Sequence, residues 1–193
     1  MSWYLNDNVA EVAKQLLGKI LCTLIDGELT KGMIVETEAY SGYNDKACHA
    51  NNQKKTGRNQ IMFGAGGHAY VYLCYGIHHL FNIVTNKKGR ADAVLIRAVE
   101  PSEGVETMKK RRNMTSIAKR LTAGPGVLSC ALGIQTIHYG TAMNSDTIWI
   151  EEGALIHEDK IVASVRIGVE YAEEDALKPW RFYIKENGWV SKL

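Results

Sequence analysis

The chain predicts an α+β fold in a single domain spanning residues 1–193, and three observations carry that expectation. Apolar residues recur at helical spacing near the start (Val9, Val12, Leu16, Leu17), and a second helical segment opens near Ser102 and Glu106. Elsewhere, alternating β-branched and aromatic runs are joined by short turn signals, Asp26-Gly27 and Tyr75-Gly76, which argues for hairpins and an antiparallel sheet. Finally, 193 residues of which 46% are hydrophobic can bury one sizeable core, whereas two domains would each be small.

Taken in order, Asp7 is placed to cap the first helix, which Gly18 stops. Lys19 to Ile25 reads as a strand, turned at Asp26-Gly27 into a second strand over Met33–Tyr40. Ser41 to Gln60 is polar and aperiodic; a loop of about twenty residues inside a compact domain is more often functional than structural. The stretch Phe63-Gly-Ala-Gly-Gly-His68 lacks the Gly-Lys-Ser/Thr of a phosphate-binding loop and reads instead as the start of a hairpin. Its first strand, Ala69–Tyr75, puts Tyr70, Tyr72 and Cys74 on one face; Gly76 breaks the run and Leu80–Thr85 resumes it. Ala93–Val99 is a core strand interrupted by Arg97 and stopped by Pro101. The helix that follows ends in the basic run Lys109-Lys110-Arg111-Arg112. Helical pieces are expected over Ser116–Leu121 and Gly126–Leu132, then strands at Thr147–Ile150, Ala163–Val169 and Arg181–Ile184.

Composition excludes several classes. No apolar run approaches the roughly 18 to 20 residues needed to span a bilayer. The opening Met1-Ser-Trp-Tyr-Leu-Asn-Asp has no signal-peptide layout, and Cys22, Cys48, Cys74 and Cys130 are too scattered for a disulfide framework or zinc ribbon. A reduced, cytoplasmic protein is expected. The net charge of +2 hides an asymmetry: residues 51–125 hold 13 Lys or Arg against 4 Asp or Glu, a balance of +9, and the remainder carries −7. One basic face, suited to a polyanion, would follow. Charges solvated without a partner would give the same count.

The chemistry is expected at Ile34-Val-Glu-Thr-Glu-Ala-Tyr40. Strand alternation puts Glu36, Glu38 and Tyr40 on one face, and a carboxylate at a strand end beside an aromatic wall is placed to act as a general base. For an isolated Glu-x-Glu a solvated sheet face would be the commoner explanation. His49, His68, His78 and His79 lack helical His-x-x-x-His spacing, and adjacent His78 and His79 point to opposite strand faces, so no metal site is expected. Tyr75 at a hairpin tip cannot be buried there and suits a wedge.

Together Val35-Glu-Thr-Glu-Ala-Tyr40, His49, Tyr72-x-x-Tyr75-Gly76, Asn82 and Leu95-Ile-Arg97-Ala-Val-Glu-Pro101 occur in an order that resembles the alkyladenine (methylpurine) DNA glycosylases. The similarity runs from about Asn6 to Ser191 and includes Gly124-Pro125, Arg166-Ile-Gly168 and Pro179-Trp-Arg-Phe-Tyr183. The resemblance implies a curved antiparallel sheet with flanking helices and a protruding hairpin that inserts into DNA. It implies excision of flipped-out damaged purines from double-stranded DNA by a monomer without metal or organic cofactor. Glu38 would be the catalytic base, with Arg97 fixing the attacking water. Tyr40, His49 and Tyr72 would form the walls of the base pocket, Asn82 would exclude guanine, and Tyr75 would intercalate. Lys54, Thr56 and Arg58 would contact phosphates. Val127 stands where the family often has Lys, and Lys119 and Arg120 are candidates to compensate. The rivals are a non-catalytic nucleic-acid-binding module, which would gain nothing from Glu38 near phosphates, and an RNA-processing or acyl-transfer enzyme.

Overall fold

In the computed structural model, which describes residues 3–192, hydrogen-bond demand along one long strand organises the chain. That strand, β2 (Glu28–Tyr40), follows β1 (Ile20–Ile25) through Asp26 and Gly27, whose φ values of 56° and 75° make a tight left-handed turn of the kind that matches strand twist. The remaining strands are β3 (Ala69–Cys74), β4 (His78–Thr85), β5 (Asp92–Glu103), β6 (Ile148–Glu151), β7 (Ile161–Ser164) and β8 (Arg181–Ile184). They form an antiparallel sheet ordered β3-β4-β5-β2-β1-β6. One edge of β2 is shared: β1 pairs with its first half and β8, followed by β7, with Glu36–Glu38. Every residue of β2 from Ile34 to Ala39 is therefore buried, which removes the solvated-face reading of Glu36 and Glu38.

Helices α1 (Val9–Leu16), α2 (Val105–Arg111) and α3 (Pro125–Leu132) flank the sheet. Val12, Leu16, Ile34, Phe81, Ile96, Met108, Leu128 and Leu132 belong to one core. Thr37, on the face of β2 opposite Glu36, donates to the Ala13 carbonyl and ties α1 to the strand. Among the described residues no helix is long and apolar enough to cross a membrane.

Several boundaries differ from the expectation. Asn8, not Asp7, caps α1, because its side chain accepts from the N–H groups of Ala10 and Glu11. β2 begins at Glu28 instead of Met33, and β4 at His78 instead of Leu80. Pro101 does not stop β5: β4 pairs only with Asp92–Leu95, so at Pro101 β5 has a strand on one edge only, the setting in which a sheet tolerates proline. Ser116–Leu121 contains a single 3-10 turn, Lys119–Leu121, rather than a helix. The strand expected to reach Val169 ends at Ser164, with consequences for the site.

Candidate active site

The hairpin β3–β4, the strands β2 and β5, and the loops after β2 and β7 enclose a cavity of about 360 Å³. Such a volume is within the range of small-ligand pockets. Tyr40, His49, Tyr72, Asn82 and Arg97 all line it, with Tyr75 at its rim. Residues separated by up to 57 positions in the sequence thus meet because β4 and β5 bring Asn82 and Leu95 into register and β5 carries Arg97 against β2.

Glu38 has no exposed surface, yet its hydrogen-bond partners Tyr40 and Ile167 and its ion-pair partner Arg97 all line the cavity. Tyr40 donates its hydroxyl to Oε2 at 2.7 Å and Arg97 lies 3.2 Å from the same oxygen. The Ile167 N–H donates to Oε1 at 2.7 Å. A carboxylate offers about four acceptor positions. Oε2 has two partners and Oε1 one, so Oε1 retains the unfilled acceptor capacity, on a side chain that lies buried behind the cavity wall. The Tyr40 hydroxyl pKa is raised well above its usual value by burial and then by the Glu38 charge, so Tyr40 stays a donor.

Arg97 is shared. Its Nε donates to Glu36 Oε1 at 3.0 Å. Glu36 also accepts from Arg181 at 2.8 Å and from the Ser191 backbone at 2.6 Å and hydroxyl at 2.9 Å. Burial alone would raise the Glu36 pKa, but Arg97, Ser191 and Arg181 outweigh it and hold the carboxyl below its ordinary value. Glu36 is the anchor that orients Arg97 toward Glu38.

The aromatic walls meet at a corner. His49 and Tyr72 touch edge-to-face with ring centroids 4.7 Å apart, and His49 Nδ1 lies 2.8 Å from the Tyr70 hydroxyl. Although His49 keeps an exposed face, crowding of its ring and then the Arg58 guanidinium lower its pKa to about 4, so the ring is neutral at neutral pH. Asn82 is buried and donates its amide to the carbonyls of Tyr70 and Leu80 at 3.1 and 3.4 Å, which locks its side chain beside the cavity.

At the hairpin tip Tyr75 is 93% exposed and holds φ of 50°, beside Gly76 at 74°. An aromatic residue in the left-handed region, without burial in return, is strained. The neighbouring Ile77 is also exposed. Lys54, Thr56 and Arg58 sit on the exposed part of the loop, outside the cavity, with Arg58 stacked 4.6 Å from the Tyr72 ring centre. The basic run is partly committed elsewhere. Lys109 pairs with Glu106 at 2.9 Å, while Arg111 and Arg112 donate to backbone carbonyls. Among the described residues no set of three or more His, Cys, Asp or Glu side chains gathers as a metal site.

Several contributors carried no assigned role in the sequence reading. Arg166, fully buried, makes a bidentate pair with Asp45 at 2.7 Å and donates to the Ala39 and Asp175 carbonyls. Its guanidinium stacks on Tyr40 at 4.9 Å and Trp180 at 5.3 Å. One cation thus holds the His49 loop, a pocket wall and the segment that presents Ile167 to Glu38. Tyr171, 65% exposed on the cavity wall, donates to the Ala47 carbonyl. The Arg166-Ile-Gly168 stretch was visible as a motif, but nothing in it announces a backbone donor.

An aromatic cavity backed by a buried, cation-held carboxylate has the make-up of a hydrolase site for a flat aromatic group. The family model for methylpurine-DNA glycosylase matches residues 3–188. Proteins from Bacillus cereus strain G9842 and Bacillus thuringiensis strain Al Hakam, whose provisional name is 3-methyladenine DNA glycosylase, are 47% identical over 200 residues, covering 99% of this chain and 97% of theirs. A protein of the same provisional name from Bacillus mycoides strain KBAB4 is also 47% identical, over 98% of its length. The chain belongs to the methylpurine-DNA glycosylase family, and it is accordingly a DNA glycosylase, a hydrolase of N-glycosyl bonds in DNA.

Proposed function

We propose that this glycosylase takes alkylated or deaminated purines, the 3-methyladenine, 7-methylguanine, hypoxanthine and ethenoadenine class, out of the duplex into the aromatic cavity and hydrolyses the N-glycosidic bond with a Glu38-activated water. The observation that carries this reading is the buried carboxylate of Glu38, held by Tyr40, Arg97 and the Ile167 N–H directly behind the aromatic cavity that these three partners line. Water would bond to C1′ and give its proton to Glu38, while the base leaves with the electrons of the broken C–N bond. The carboxylate charge would also stabilise the oxocarbenium-like sugar. Water does the displacement, so the strand is left uncut with an abasic site, by a monomer that needs no cofactor. Lys54, Thr56 and Arg58 are the proposed phosphate contacts, and Tyr75 the side chain that fills the vacated stack.

Base release from duplexes holding one defined lesion tests the reading; release of none of these bases would overturn it. The same assay tests Asn82. A side chain locked by two backbone carbonyls can exclude the guanine 2-amino group by clash, where stacking alone accepts every purine. Asn82→Ser is expected to raise guanine and 7-methylguanine release relative to hypoxanthine release in single turnover. A flat ratio in the folded variant removes Asn82 as the filter.

The exposed tip makes a second expectation. Tyr75→Ala should slow excision from duplexes and weaken lesion-duplex binding, and matter much less on single strands, where no stack needs filling. Tyr75→Gly should lose the same function while relieving the left-handed strain, so its thermal stability should not fall. Equal losses on duplex and single strand would make Tyr75 a packing residue.

A further inference from the structure

The two aromatic walls Tyr40 and Tyr72 each carry a guanidinium that lies outside the cavity. Arg166 lies 4.9 Å from the Tyr40 ring centre and Arg58 4.6 Å from that of Tyr72. Neither arginine lines the cavity, whereas both tyrosines do. Arg58 and Tyr72 instead share a separate groove with Gly57, Leu73 and Tyr139, which fixes Arg58 to the outer side of the ring.

The two differ in net charge. Arg166 is buried and matched by the Asp45 carboxylate at 2.7 Å. Arg58 is exposed and forms no ion pair among the described residues. A ring attracts a cation through its electron-rich face. With an unneutralised cation on one face of Tyr72, π density is drawn outward and a second cation on the inner face is repelled through the ring.

We propose that Arg58 is a specificity-determining residue that weakens the hold of the Tyr72 wall on cationic purines, such as N7- or N3-alkylated bases, and shifts the pocket toward neutral lesions. The inference rests on the base-binding reading of the cavity given above. It stands in place of the phosphate contact proposed above for this residue, because a bound phosphate would neutralise Arg58 as Asp45 neutralises Arg166, and the phosphate contacts then fall to Lys54 and Thr56. Charges about 8 Å apart at an effective dielectric of about 40 repel by an amount that corresponds to about fivefold in affinity.

The test compares two duplexes with 2′-fluoro sugars, which block cleavage: one with 7-methyladenine, cationic at pH 6, the other with its neutral isostere 7-deaza-7-methyladenine; neither carries the 2-amino group that Asn82 is proposed to exclude. Dissociation constants are measured at pH 6 for the unaltered protein, Arg58→Gln and Arg58→Lys, with thermal melting to check folding. The Gln variant should move the ratio about fivefold toward the cationic duplex, and the Lys variant should stay near the unaltered protein. If Gln weakens both duplexes equally and leaves the ratio flat, Arg58 is a phosphate contact alone and the proposal fails. If Lys shifts the ratio as much as Gln, lost stacking and not charge is responsible, and the proposal fails again. Should the unaltered protein bind neither lesion better than undamaged DNA, the base-binding reading itself falls; intact lesion binding with a flat ratio sinks only the role of Arg58.

Discussion

Glu38→Gln should abolish base excision while leaving binding to lesion DNA in place. The amide keeps the shape of the carboxylate, and its oxygen can still accept from one set of neighbours, but it cannot take a proton from water. General-base catalysis contributes about 10² to 10⁴-fold. On the proposed mechanism, loss of the negative charge that would face an oxocarbenium-like sugar adds to that. The setting sharpens the expectation, because Tyr40, Arg97 and the Ile167 N–H all point donors at this carboxylate and hold it in place. The measurement is single-turnover release from a defined lesion duplex, paired with the dissociation constant for that duplex. Near-normal release would remove Glu38 as the base. Loss of binding in parallel with activity would show a site that had come apart instead.

The second large effect concerns Glu36, and it is an effect on stability. Glu36→Gln leaves Arg97 and Arg181 buried without their shared anion. Removing one partner from a buried ionic network typically costs about 3–5 kcal/mol. The pH dependence has a definite sign. The folded-state pKa of Glu36 lies below its ordinary value of 4.5, so its contribution is present above that pH and disappears as pH falls through the folded value. Urea unfolding of the two proteins at pH 7 and again near pH 4 should therefore show a large gap at the first and a smaller one at the second. A gap that stays the same would mean that packing of the side chain, not its charge, is what the network needs. Activity per folded molecule should fall less than for Glu38→Gln, since Glu36 is linked to Glu38 only through Arg97.

Local chemistry was legible in the sequence wherever one residue type meets one backbone need. Asp26-Gly27 announced a hairpin because few residues accept positive φ, and both do so here. Tyr75-Gly76 announced an exposed tip for the same reason, and the period-two pattern put Tyr70 and Tyr72 together and Glu36 beside Glu38. Family resemblance supplied the roles of Glu38, Tyr40, His49, Tyr72 and Asn82, and the folded chain assembles these residues at or directly behind one cavity.

Ends of elements were less legible, because pairing partners decide them. Pro101 stays inside β5 only because β4 stops short of it, and the run after Ser164 leaves the strand so that Arg166 can turn inward to Asp45, 121 positions away. The donors on Glu38 and Glu36 come from Ile167 and Ser191, 129 and 155 positions along the chain, and two of them are backbone N–H groups that every residue except proline possesses. By itself, then, the sequence determined the strands, the turns and which side chains could do the chemistry, since those depend on local conformation and residue type. Only the tertiary structure decided that Arg97 would join two carboxylates, that Arg166 would brace the pocket wall, and that Arg58 would rest on the outer face of Tyr72, because those contacts exist only once distant segments share a buried space of low dielectric.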